Sequence, residues 1–300
     1  MKHPPQIINS ISELHRLNSF PKPEHPLVSL VNFEDMRDVS NETPGGFIFD
    51  FYTIAIKRGL KTKIKYGQHY YDFDEGVMSF ISPGQVIGNN HQDNSELAGW
   101  MLLIHPDFLR NYPLSKTIKE YGFFSYDLYE ALHLSEKEEA MIETIMKNIQ
   151  QEYRSVIDHY SQNVIISHIE LLLNYCDRFY NRQFITRKGA NSDLLIRLEA
   201  LLAAHFDNQE SGLPTVQYVS SQLNVSPNYL SDMLRSLTGQ GTQQHIHNKL
   251  IEKAKEMLTL TSMSIGEIAY QLGFEHPQSF NKLFKSKTNI SPLVFRNSFH

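Results

Sequence analysis

Apolar residues come in short, dense bursts along the first third of this chain and every three or four residues along most of the rest. Between 19 and 105 the bursts are rich in aromatic and β-branched residues. Examples are Phe47-Ile-Phe-Asp-Phe-Tyr-Thr-Ile-Ala-Ile56, Thr62-Lys-Ile-Lys-Tyr66 and Gly76-Val-Met-Ser-Phe-Ile-Ser-Pro-Gly84. Turn residues break them at Pro44-Gly45-Gly46, Arg58-Gly59, Asp74-Glu75-Gly76 and Pro83-Gly84. Short strands at this spacing predict a β-sandwich or barrel.

From 113 to about 180 the period lengthens to that of a helix. Ser135-Glu-Lys-Glu138 is a capping-box start. Ile142, Ile145, Met146, Ile149 and Tyr153 then form a one-sided stripe. A second helix, predicted over about 159–179, is apolar on a wider arc of Val164, Ile165, Ile169, Leu172, Leu173, Cys176 and Phe179. An arc that wide predicts contact with its own domain and with a second copy. Residues 181–192 are polar and without period, and predict an interdomain linker. From 193 onward short helical segments alternate with sharp turns.

This last region repeats itself. Val216, Val219, Leu223 and Val225 recur 49 residues later as Ile265, Ile268, Leu272 and Phe274. In the second copy Ser264-Ile-Gly-Glu267 opens a helix, Gly273 suits the left-handed turn that ends it, and a new helix starts near His276-Pro277. In the first copy Thr215 caps the leading helix, Leu223-Asn-Val225 makes the turn, and Ser226-Pro227 starts the next. Helix, tight turn, helix is the pattern that places a second helix in the DNA major groove. That helix exposes Asn228, Ser231, Asp232 and Arg235 in the first copy, and Gln278, Ser279, Asn281, Lys282 and Lys285 in the second. Amide and basic side chains bond base edges, and lysine also neutralises phosphate. A continuous helix over about 243–258 links the copies.

Composition narrows the function classes. Of 300 residues, 41% are hydrophobic and 20% charged, enough for packed cores. The net charge of −5 excludes a uniformly basic coat. One cysteine, Cys176, excludes an internal disulfide. No stretch is long and apolar enough for a bilayer, and the start has no signal-like apolar core, so a cytoplasmic protein is expected. Residues 193–300 carry nine Lys/Arg and nine Asp/Glu, yet no acid falls between Lys282 and Arg296. The electrostatic footprint should therefore lie on the second module.

Ile251-Glu-Lys-Ala254, Met257-Leu258, Ser264-Ile-Gly-Glu-Ile-Ala269, Leu272-Gly-Phe274, Ser279-Phe280, Leu283-Phe-Lys285 and Ser291-Pro292 followed by Phe295-Arg296 make a specific set. With them, residues 213–296 resemble the DNA-binding domain of the AraC/XylS family of bacterial transcription regulators. Two positions depart from that pattern. Asn289 stands where Gly is usual, and Asn tolerates the left-handed conformation. Asp232 stands where a basic or amide residue is common. It either reads one cytosine or, as the spacing favours, is held by Arg235 three residues on.

The resemblance implies an α+β multidomain chain. A cupin-like β sensor domain would span 1–112, a helical dimerisation segment 113–180, a linker 181–192 and an AraC-type all-α domain 193–300. A fragment from about 191 to 300 should then carry the DNA-binding machinery. It implies a non-enzymatic regulator, homodimeric through Ile165, Ile169, Leu172 and Cys176, with double-stranded DNA as partner and RNA polymerase as a further candidate. A small effector in the barrel would meet Phe49, Phe51, Tyr66, Tyr70, Phe80 and Trp100, with Phe73 beside them. His69, His91 and His105 form no His-x-His pair, so no metal or other cofactor is expected. His245-Gln-His247 lies on the linking helix, where residues two apart diverge. The alternatives are a cupin-type metalloenzyme with an appended DNA-binding domain, and a regulator controlled by a protein partner.

Overall fold

The structure is a computed structural model that describes residues 4–35, 46–58, 64–66, 69–71, 76–87, 98–155, 158–207 and 212–298. Side chains at 64–66, 69–71, 128 and 188–190 lie outside the described set. The chain divides into two compact units, Met1–Gln183 and Phe184–His300. The first is built around sheets and the second is helical, an α+β arrangement.

The first unit opens with β1 (Gln6–Ile8), α1 (Ile11–Leu17) and β2 (Val28–Asn32). There follow β3 (Phe47–Phe49), β4 (Tyr52–Arg58), β5 (Ile64–Tyr66), β6 (His69–Tyr71), β7 (Val77–Ile81), β8 (Val86–Ile87) and β9 (Ala98–Ile104). A short α2 (Leu114–Thr117) and β10 (Leu132–His133) lead into α3 (Glu136–Arg154) and α4 (Ser161–Thr186). The described strands form three sheets, ordered β1-β3-β8, β10-β7-β4-β9-β2 and β5-β6. The five-stranded sheet is antiparallel throughout. The apolar run over 47–56 is thus two strands in two sheets, parted at Asp50 and Phe51. Phe51 is fully buried with Ile8, Ile11, Leu14 and Leu103.

The capping box expected at Ser135 and Glu138 forms and starts α3. Its stripe of Ile142, Ile145, Met146, Ile149 and Tyr153 is buried. The Tyr153 hydroxyl accepts from Leu30 N of β2 at 3.0 Å. Arg58 at the end of β4 is held by Glu139 and Glu143 of α3. α4 lies over the same sheet: Cys176 Sγ sits 4.0 Å from Met78 Sδ, and the Tyr180 ring stacks on Phe123 at 5.6 Å. α3, and α4 as far as Gln183, therefore belong to the compact unit that contains the sheets.

This corrects the expected dimer surface. Ile165, Ile169, Leu172 and Cys176 are at most 2% exposed in the single chain. The wide arc is wide because the helix is sunk in its own core. The apolar residues that α4 leaves exposed are Val164, Leu171 and Ile185. The stretch 181–192, expected to be an interdomain linker, includes the division between the two units. It is helical except at Arg187. Phe184 packs edge-on against Tyr229, and the Asn191 amide donates to Phe184 O at 2.6 Å. Among the described residues one aromatic, Phe184, and two amides, Gln183 and Asn191, supply the burial, too few to mark a period.

The second unit runs through α5 (Lys188–Asp207), α6 (Val216–Leu223), α7 (Pro227–Thr238), α8 (Thr242–Leu260), α9 (Ile265–Gln271), α10 (Pro277–Thr288) and α11 (Pro292–Asn297). One core joins Phe206 to Leu250, Ile251, Ala254, Met257 and Leu258 of α8 and to Ile268, Phe274, Phe280 and Phe284 of the second module. Leu230, Met233 and Leu234 of α7 and Ile246 of α8 are likewise buried.

Candidate nucleic-acid interface

Each helix pair is fixed by local chemistry. In the first, Thr215 Oγ1 accepts from Tyr218 N at 3.1 Å and so caps α6. Asn224 ends it in the left-handed region at φ 55°. Ser226 Oγ caps α7 through Tyr229 N at 3.3 Å, with Pro227 in the first turn. In the second pair, Ser264 and Glu267 bond reciprocally, at 2.7 Å from Ser264 N and 3.2 Å from Glu267 N. Donation from Ser264 N, and then from its side chain, holds the Glu267 carboxyl below its usual range. Gly273 makes the turn at φ +91°, and a Cβ there would meet Gly212 C at 2.4 Å. Phe274 N closes the turn on Ala269 O at 3.0 Å.

The two second helices present different surfaces. On α7, Asn228 and Arg235 are exposed and Ser231 and Asp232 half-buried. Ser231 Oγ lies 3.0 Å from Thr242 Oγ1 and ties α7 to the start of α8. Arg235 Nη1 lies 2.7 Å from Asp232 Oδ1, the pairing that the spacing favoured. Two of the four candidate DNA contacts on α7 thus spend their charge on each other, and a third is engaged in packing. On α10, Gln278, Ser279, Asn281, Lys282 and Lys285 are all exposed. Neither lysine has an acidic partner within ion-pair distance among the described residues. The exposed polar arc sits opposite Phe280 and Phe284, which are fully buried.

The basic run of the second module is narrower than composition suggested. Arg296 is half-buried and its Nε donates to Leu258 O, the C-terminal end of α8, at 3.3 Å. It closes a helix end and adds little outward charge. Lys287, counted earlier only as charge, lies close enough to His247 to lower that imidazole's pKa, second to burial. His245 faces elsewhere, 2.9 Å from Thr238 Oγ1 and 3.5 Å from Glu199. The two histidines of His245-Gln-His247 therefore have separate partners. α8 has 19 residues, about 28 Å at 1.5 Å per residue.

In the first unit the four described aromatics of the expected effector set do not share one cluster. Phe49 and Phe51 stack at 5.1 Å beside α1. Phe80 packs with Phe123, Phe124 and Tyr180. Trp100 is half-buried with Lys147 Nζ 5.4 Å from its ring. The side chains of Tyr66, Tyr70 and His69, and residues Phe73 and His91, lie outside the described set. His105 caps a short helix by accepting from Asp107 N at 3.2 Å. Among the described residues no group of three or more His, Cys, Asp or Glu is placed to hold a metal, and no helix is long and apolar enough to cross a membrane.

Residues 219–298 match the helix-turn-helix domain family. The chain is 30% identical over 146 residues to the uncharacterized HTH-type transcriptional regulator YfiF of Bacillus subtilis, covering 49% of this chain and 44% of that one. It is 27% identical over 115 residues to the uncharacterized HTH-type transcriptional regulator YijO of Escherichia coli, covering 37% and 41%. It is also similar to the solved C-terminal domain of AraT, a response regulator from Geobacillus stearothermophilus. There the identity is 32%, the coverage 35% of this chain and 84% of that one, and the TM-score 0.32. The chain spans less than half the length of the two curated relatives. With the motif set of 251–296 and the two capped helix pairs, the family match identifies residues 219–298 as a helix-turn-helix domain of AraC type.

Proposed function

We propose that the chain is a sequence-specific DNA-binding transcriptional regulator that grips double-stranded DNA chiefly through α10. The observation that carries this is the contrast between the two second helices. α10 offers Gln278, Ser279, Asn281, Lys282 and Lys285 on one exposed arc with both lysines unpaired among the described residues. α7 offers Asn228 beside an internally neutralised Asp232–Arg235 pair. Free lysines release counterions when they meet phosphate, and exposed amides can bond base edges. On this reading the first module positions the domain and the second reads sequence.

The first unit would act as a cupin-like sensor for a small effector, and the protein would work in the cytoplasm without enzymatic chemistry. A homodimer would form through the outer face of α4, around Val164 and Leu171, which are exposed where the rest of the arc is buried. RNA polymerase would be the partner at promoters. Selection of bound sequences from random DNA with the full chain tests the reading. An enriched motif is expected, with its strongest positions lost in the Asn281→Ala variant. Recovery of no motif at low salt contradicts it.

A further inference from the structure

The second helices of the two modules are built as copies. α7 and α10 each run for 12 residues with a proline in the first turn. Thr238 Oγ1 donates to Leu234 O and Thr288 Oγ1 to Phe284 O, both at 2.8 Å. Gly239 at φ 75° and Asn289 at φ 64° close the two helices in the left-handed region. Their N–H groups donate to Arg235 O and Lys285 O, both at 2.9 Å. Positions 50 residues apart therefore correspond: Asn228 with Gln278, Ser231 with Asn281 and Asp232 with Lys282.

The outward amides of these helices differ from others in the same unit. Around the start of α8, Asn248 Nδ2 donates to Gln240 Oε1 at 2.7 Å, Gln243 Nε2 lies 2.9 Å from His247 Nε2, and Gln244 Oε1 accepts from Gly241 N at 3.0 Å. Those amides are spent within the domain. Asn228, Gln278 and Asn281 are exposed, and their side chains make no hydrogen bond among the described residues. Ser231 is engaged with Thr242. In the second module Pro292 stands where the first has Thr242, offers no hydroxyl, and leaves Asn281 to solvent. Gln278 and Asn281 are three residues apart on the arc opposite Phe280 and Phe284. That is a rise of about 4.5 Å, against about 3.4 Å per base pair. Both lie in the first half of α10, the part of such a helix that meets base edges.

We propose that the domain reads adenine: Gln278 and Asn281 each hold one adenine edge in the major groove, on adjacent or next-but-one base pairs, and Asn228 holds a third adenine under α7. A primary amide carries an acceptor and an N–H donor side by side. In the major groove adenine alone presents the matching donor at N6 and acceptor at N7. Guanine shows two acceptors, cytosine a donor, and thymine an acceptor beside a methyl group. The exposed arc of α10 has no carboxylate to accept from cytosine and no apolar side chain to meet a thymine methyl. Lys282 and Lys285, donors only, suit the phosphates that flank those pairs. The proposal rests on reading α10 as the DNA-gripping helix and names the bases that it takes.

Selection from random duplex DNA with the full chain, followed by titration of labelled duplexes, tests it. Gln278→Ala, Asn281→Ala and Asn228→Ala each replace an exposed side chain and should melt as the wild type does. Each should lose its preference at one A·T pair of the wild-type motif. The pairs lost by Gln278→Ala and Asn281→Ala should be adjacent or next but one, and the pair lost by Asn228→Ala should lie outside that cluster. An adenine analogue without the N7 acceptor, 7-deazaadenine, is then placed at the pair assigned to Asn281. Wild-type affinity should fall roughly tenfold, and that of Asn281→Ala should not change. Preferences lost at G·C pairs, or at no pair, overturn the proposal. So does an equal effect of the analogue on wild type and Asn281→Ala. A wild-type library without any motif would instead overturn the reading of the chain as a sequence-specific binder.

Discussion

Asp232 and Arg235 show how much charge chemistry spacing alone can reveal. The pair was readable because an acid and a base three apart on a helix share a face, and they meet at 2.7 Å. Releasing Arg235 should help DNA binding. Asp232→Ala is expected to bind selected sites as tightly as wild type or more so, by about 0.5–1 kcal/mol at low salt in a titration of fluorescent duplex. A loss confined to sites with one cytosine would instead make Asp232 a base reader. Asn289 was equally legible, since it closes α10 in the left-handed region at φ 64°. Ile165 was not. A periodic pattern states which positions are buried but not what buries them, and this one is 2% exposed within its own unit. Ile165→Glu should therefore lose more than about 3 kcal/mol in urea unfolding and never yield a folded monomer. Leu171→Glu, 43% exposed, should fold normally and change only the mass seen by light scattering. Wild-type mass for Leu171→Glu would remove the outer face of α4 as a dimer surface.

The caps and turns of the helix pairs were written in the sequence because they are local. Ser264 with Glu267, Thr215, Ser226-Pro227 and Gly273 each act within a few residues of themselves. The strands were less legible. β3 and β4 occupy one apolar run but join different sheets, a division set by long-range pairing that no local period encodes. β1 and α1 precede the region that looked structured at all. The turn at Gly273 gives a sharp test of the second pair. Gly273→Ala places a Cβ at a positive φ and against the Gly212 backbone. Its cost should exceed the roughly 1–2 kcal/mol of left-handed strain alone, read as a drop in melting temperature. Asn289→Gly, at a similar backbone position, should stay within about 1 kcal/mol of wild type. Equal stability of Gly273→Ala and wild type would mean that this turn is not packed as described.

Across the whole chain the second unit begins at Phe184, not at the loss of polar character near 193. Phe184 is 1% exposed. A fragment of residues 184–300 should therefore be more stable than one of 191–300 by about 3–5 kcal/mol, the usual worth of a buried Phe. Both fragments should bind DNA more weakly than the full chain if the latter is dimeric, because a tether raises effective concentration. The central claim, that α10 is the main DNA-gripping helix, is tested most directly by salt dependence. Affinity of the full chain for a selected site is measured from low to moderate salt for wild type, Lys282→Ala and Arg235→Ala. If Lys282 meets phosphate, Lys282→Ala should lose affinity across sequences, and the slope of log K against log salt should fall by about one. Arg235→Ala, already neutralised by Asp232, should change the slope far less. An unchanged affinity and slope for Lys282→Ala, with a large loss for Arg235→Ala, would place the grip on α7 and contradict the account.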